Sequence, residues 1–128
     1  MTTTITICST CRHMGRDLPE GAPRDGERLG EMIARRAPED GNLRIRHVAC
    51  LMGCDHGCNV AIQAEGKLSY VLGRFAPEEE AAAAILAYAA LHAASPSGQV
   101  PFRRWPQGVK GHFIARIPPL GVGEEGAE

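Results

Sequence analysis

Five cysteines fall in two short stretches of a 128-residue chain. Cys8-Ser9-Thr10-Cys11 is a C-x2-C, and Cys50-Leu51-Met52-Gly53-Cys54 is a C-x3-C, with Cys58 four residues further on. Thiols this close in sequence can reach one metal centre from one loop, and two such loops supply four sulfur ligands. Soft thiolates select zinc, copper(I) or iron-sulfur clusters, and four sulfurs suit tetrahedral zinc and a two-iron cluster alike. Gly53 and Gly57 tip the balance toward iron-sulfur, because backbone without side chains lets N–H groups approach cluster sulfides closely. A competing chemistry is thiol-disulfide exchange at Cys8 and Cys11, which needs a thiolate activated at a helix start. Here Gly15, Pro19, Gly21 and Pro23 place an irregular loop between that pair and the next helix.

Other candidates are weaker. His56, beside Cys54, is a candidate ligand of the kind found in Rieske-type clusters, against the simpler reading of a loop histidine that donates a hydrogen bond. His13, His47, His92 and His112 are scattered singly, without ligand spacing, and read as surface or core residues. Arg12 and Arg16 stand near Cys11, where their charge could offset that of a cluster. Between Ala81 and Val122 there is no acidic residue, while Arg103, Arg104, Lys110 and Arg116 are basic. With Trp105 and Phe113, that stretch is either a docking face for an acidic redox partner, a cover over the cluster, or a strap whose aromatics complete the core. No Ser-His-Asp set, Walker loop or G-x-G-x-x-G motif is present, so the expectation is a carrier rather than an enzyme.

The elements that must position the thiols are legible. Thr3 to Ile7 is almost all β-branched and leads straight into Cys8, so the first pair sits at a strand end. Asp25 caps a predicted helix in which Leu29, Met32 and Ile33 fall on one face, closed by Pro38. Leu43 to His47 alternates apolar and polar before Val48-Ala49-Cys50, which puts the second cysteine group at a strand end too. Asn59 to Ala64 and Lys67 to Leu72 read as a hairpin around Glu65-Gly66, with Val60, Ile62, Leu68, Tyr70 and Leu72 at apolar positions. Pro77 and Glu78-Glu79-Glu80 start a helix that runs to Ala94 and stops at Ser95-Pro96-Ser97-Gly98. The predicted order is β-α-β, cysteine loop, β-β-α, an α/β class with the thioredoxin-like succession of elements.

Composition narrows the field. At 44% hydrophobic, 23% charged and a net charge of −1, the chain suits one modest globular domain and lacks the field that bulk nucleic acid or membrane attraction requires. No segment approaches the roughly 20 apolar residues that span a bilayer, and Met1 to Ile7 has no signal-peptide pattern. A cytoplasmic protein is expected, in which crowded cysteines serve as metal ligands or redox groups rather than disulfides.

The stretch Cys50 to Gly57, followed by Val60-Ala61-Ile62 and the turn and strand from Gly66 to Tyr70, resembles the second cysteine motif of the thioredoxin-like two-iron ferredoxins and of the small two-iron subunit of respiratory complex I. The resemblance implies that Cys8, Cys11, Cys50 and Cys54 hold a 2Fe-2S cluster, that the chain carries single electrons to a redox partner protein, and that it pairs as a homodimer. It spans residues 5 to 94. The first pair is closer together than in those families, and Cys58 stands where they usually have proline, so Cys58 is an alternative ligand to Cys11 or Cys54. Zinc held by the same thiols, in a structural or metal-handling module, is the alternative cofactor. Over its whole length, including Pro101-Phe102-Arg103 and Ile114 to Pro119, the chain also resembles an uncharacterised bacterial family of predicted metal-binding proteins sometimes associated with cobalamin synthesis. The implied organisation is a thioredoxin-like ferredoxin domain over residues 1–98, a C-terminal extension over 99–120 packed on it, and a flexible acidic tail over 121–128.

Overall fold

A computed structural model of the chain describes residues 2–8, 25–37, 43–49 and 58–119. The β-branched run at the start forms β1, Thr3–Cys8, and the alternating segment forms β2, Leu43–Val48. Between them α1, Asp25–Arg36, carries Leu29 and Ile33 to the core and ends in Arg35 and Arg36, which suit the negative end of the helix. Asp25 is the first helical residue rather than a residue flanking the helix; it is buried, with Arg28 at 3.6 Å. The hairpin follows as β3, Val60–Gln63, and β4, Ser69–Leu72, turning through Gly66 in the left-handed region. Then α2, Glu79–Ala94, is apolar on most sides because it lies between the sheet, α1 and the C-terminal strap.

β1 and β2 are parallel, as a helical crossover requires, while β1 with β3 and β3 with β4 are antiparallel. The extension carries few regular sequence signals, yet Phe113–Ile117 forms β5 antiparallel to β4, giving one sheet in the order β2-β1-β3-β4-β5. Its residues do not alternate in burial, since a lone edge strand can be held by main-chain pairing to β4 with only Phe113 turned to the core.

Both helices pack on each other and on one face of β1. That face carries Ile5, Ile7, Val60, Ile62, Tyr70 and Leu72, which bury against Leu29, Ile33, Ile85 and Tyr88. Each such side chain contributes about 1.5–3 kcal/mol when removed from water. Tyr88 sits edge-on to Tyr70 and Phe113, at centroid distances of 5.7 and 5.2 Å, and burial pushes its phenol above the ordinary range. Before β5 the chain makes two short 3-10 turns, Phe102–Arg104 and Gln107–Val109, the second lying on α2. A side chain at Gly108 would come 2.6 Å from the Ala84 Cβ, so this close approach needs both small residues. Trp105 donates its indole N–H to the Val100 carbonyl at 2.8 Å and packs against Phe113. Trp105 and Phe113 of the extension therefore pack against the core. Among the described residues no helix is long and apolar enough to cross a membrane.

Candidate metal centre

Because β1 and β2 are parallel, Cys8 at the end of β1 and Ala49 just past the end of β2 stand at the same end of the sheet. Cys8 pairs in register with Val48, and its sulfur lies 4.0 Å from the carbonyl oxygen of Ala49, the residue before Cys50. Antiparallel β3 begins at that end as well: the Cys8 N–H donates to the Asn59 carbonyl at 3.2 Å, one residue after Cys58. Cys58 in turn exchanges two main-chain hydrogen bonds with Phe75, at 3.2 and 3.3 Å. Cys8 and Cys58 are both fully buried. Both belong to the hydrophobic core cluster; Cys8 closes β1 opposite Val48, whereas Cys58 lies just before β3 and is held by Phe75.

Cys11, Cys50 and Cys54 lie outside the described residues, as do His56, His13, Arg12 and Arg16. Among the described residues no group of three or more His, Cys, Asp or Glu could hold a metal ion. The described part of the site is a single thiol, Cys8, whose donor type suits a thiolate-held centre. A buried sulfur stands at the end of one strand, and the neighbouring strand ends within contact of it, leading directly into the second group of thiols. Soft donors in a water-poor setting suit a thiophilic metal or cluster.

The same end holds features that no sequence motif marked. Arg74 is in the left-handed region at φ 65°, a conformation that costs a side-chain-bearing residue of order 1–3 kcal/mol. It is held there on both sides. Gly73 donates its N–H to the His112 carbonyl at 2.8 Å and accepts from His112 Nδ1 at 2.8 Å, while Phe75 is locked to Cys58. The His112 ring stacks on Phe75 at 4.3 Å and an interplanar angle of 7°. This pairing arises from the β4–β5 register, so it leaves no local trace in the sequence. His92, in contrast, is a core residue: its Nε2–H donates to the Leu68 carbonyl at 2.7 Å and its Nδ1 accepts from the Thr3 hydroxyl at 2.8 Å. His47 is exposed and lies against α1 at Gly30. Of the basic stretch, Phe102 is 62% exposed and the Lys110 ammonium sits 4.6 Å above its ring.

A comparison with curated proteins finds no match. Among solved structures, a thioredoxin-like 2Fe-2S ferredoxin from Aquifex aeolicus is similar, with a TM-score of 0.52 and 17% sequence identity over 94% of this chain and 97% of that one. At that identity the likeness establishes a thioredoxin-like fold. Residues 5–119 match the family described as Protein of unknown function (DUF1636), and the chain belongs to that family.

Proposed function

We propose that the chain is a one-electron carrier in which Cys8, Cys11, Cys50 and Cys54 hold a 2Fe-2S cluster. The observation that supports this reading is the placement of the Cys8 sulfur 4.0 Å from the carbonyl of Ala49, the residue that precedes Cys50 in sequence. The thioredoxin-like fold, shared with a 2Fe-2S ferredoxin, supports it. A bound cluster would supply reversible one-electron chemistry, and no substrate would be transformed. The chain's own part is to provide thiolates, to keep water from Cys8 by burial, and to hold the strand ends rigidly through the β1–β2 and β1–β3 ladders. Its counterpart is a redox partner protein. Pairing as a homodimer, a cytoplasmic setting and a place in cobalamin-related metabolism belong to the same proposal and rest on the ferredoxin and bacterial-family resemblances and on composition.

The deciding experiment is anaerobic purification followed by iron, zinc and sulfide analysis with a visible spectrum. The expected result is a coloured protein with about two irons and two sulfides per chain, bleached by one-electron reduction. A colourless, folded protein carrying stoichiometric zinc would replace the electron carrier with a zinc-stabilised module built from the same thiols.

A further inference from the structure

The sheet face opposite the helices carries a second arrangement, independent of the cysteines. Strand alternation puts Thr4 and Thr6 of β1 beside Arg44 and Arg46 of β2 on this face, and Thr4 is in register with Gln63 on its other side. Together with Thr2 and Ser69, the upper part of this surface lines an open groove of about 870 Å³. That volume lies in the range of small-molecule sites, roughly 300–1,000 Å³. Its apolar lining is slight, Ile45 and Ala64, which disfavours an aromatic or aliphatic ligand.

Arg46 is pre-ordered. Its Nε donates to the Thr6 hydroxyl at 2.7 Å and its Nη2 reaches the Gln63 side-chain oxygen at 3.5 Å. Thr6 is itself buried, at 2% exposure, so it anchors the guanidinium firmly. With the Nε edge engaged, the Nη1–Nη2 edge still presents two parallel N–H donors, the geometry that grips an oxyanion. Arg44 lies two residues earlier on the same face, and among the described residues neither arginine has a carboxylate within 4.0 Å. Glu65 lines the groove as well, which leaves anionic charge to the arginines and offers an acceptor to ligand hydroxyls.

We propose that this groove binds a small phosphate monoester, its phosphoryl group between Arg44 and Arg46 and its hydroxylated remainder against Gln63, Ser69 and Glu65. Two guanidinium groups and the nearby hydroxyls offer more donors than one planar carboxylate can accept, whereas a phosphoryl group has three oxygens to receive them. The groove also exceeds what inorganic phosphate alone would fill.

The test is calorimetric titration of the whole chain with glucose 6-phosphate, glucose, inorganic phosphate and citrate. Glucose 6-phosphate should bind, glucose should not, and inorganic phosphate should bind more weakly than the ester. Arg44→Ala, which removes an exposed side chain and should fold normally by circular dichroism, should weaken glucose 6-phosphate binding about tenfold or more. Arg46→Ala should do the same. The double variant Arg103→Ala/Arg104→Ala, which removes two positive charges from the strap, should leave it unchanged. Absence of binding at millimolar ester, an equal loss in the strap variant, or tighter binding of citrate than of the ester would each overturn the proposal. These readouts do not depend on whether the cysteines hold iron.

Discussion

The Cys8 sulfur faces the carbonyl oxygen of Ala49 at 4.0 Å, across a parallel pair whose register matches Cys8 with Val48. Cys50, the next residue in the chain after Ala49, opens the second cysteine group and lies outside the described residues. Cys58 reaches the same end by another route. Its main chain is locked to Phe75, and like Cys8 it belongs to the hydrophobic core cluster with Val60 and Ile62.

These different main-chain partners, the end of β2 for Cys8 and Phe75 for Cys58, give the first prediction. Cys58→Ser should retain its iron, losing about 1–3 kcal/mol of stability from a buried hydroxyl in an apolar setting, whereas Cys8→Ser should lose the iron. Iron analysis and denaturant unfolding of both variants check this. Loss of iron in Cys58→Ser with retention in Cys54→Ser would move the ligand set to Cys58.

The sheet-forming segments were readable because their signals are local. Thr3 to Ile7 is β-branched, Leu43 to His47 alternates, and the hairpin is built around Glu65-Gly66. Nothing comparable marks β5, where Ile114 and Ile117 are exposed at 40% and 51% and the strand depends on pairing with β4. The cysteine groups were legible as a donor set, since type and spacing carry that information. The stack of His112 on Phe75 and the left-handed Arg74 were not, because both follow from a contact between residues almost forty positions apart in sequence.

At the opposite end of the sheet, Lys67 should matter more than a lysine usually does. It is 3% exposed, and its ammonium donates to the carbonyls of His92 and Ala93 at 3.0 and 2.8 Å, closing the last turn of α2. Lys67→Met keeps most of the aliphatic bulk and removes both donors. It should destabilise the fold by about 1–3 kcal/mol, measured by chemical denaturation. A variant as stable as the parent would mean that water or another donor serves those carbonyls equally well.

His92 should give the fold a pH dependence. Burial holds its imidazole below the ordinary value of 6.5, the Lys67 ammonium adds to that, and the hydrogen bond to the Leu68 carbonyl opposes it. The folded state therefore takes up a proton at lower pH than the unfolded chain. The stability that the neutral ring contributes is complete above the unfolded value and is lost as pH falls below about 6.5 toward and through the folded one. Unfolding midpoints measured down from pH 8 should fall more steeply for the parent than for His92→Gln. Equal slopes would show that the neutral ring makes no such contribution.

Gly98 is the third member of this corner. At φ 84° it occupies backbone space unfavourable to any side chain, and a Cβ there would come 2.8 Å from His92 Nε2 and 3.0 Å from Lys67 Cβ. The turn Ser95 to Gly98 is otherwise well held: Ser95 Oγ accepts from the Gly98 N–H at 3.0 Å and donates to the Gln99 carbonyl at 2.9 Å. Relaxation by moving the turn would break those bonds, and relaxation by moving His92 would break its bond to Leu68. Gly98→Ala should thus cost about 1–3 kcal/mol through strain in the folded state, despite restricting the unfolded chain. Combined with Lys67→Met it should cost less than the sum of the two single changes, since removing the Lys67 donors frees the turn to shift. Strict additivity in a double-mutant cycle would show that the two residues act separately.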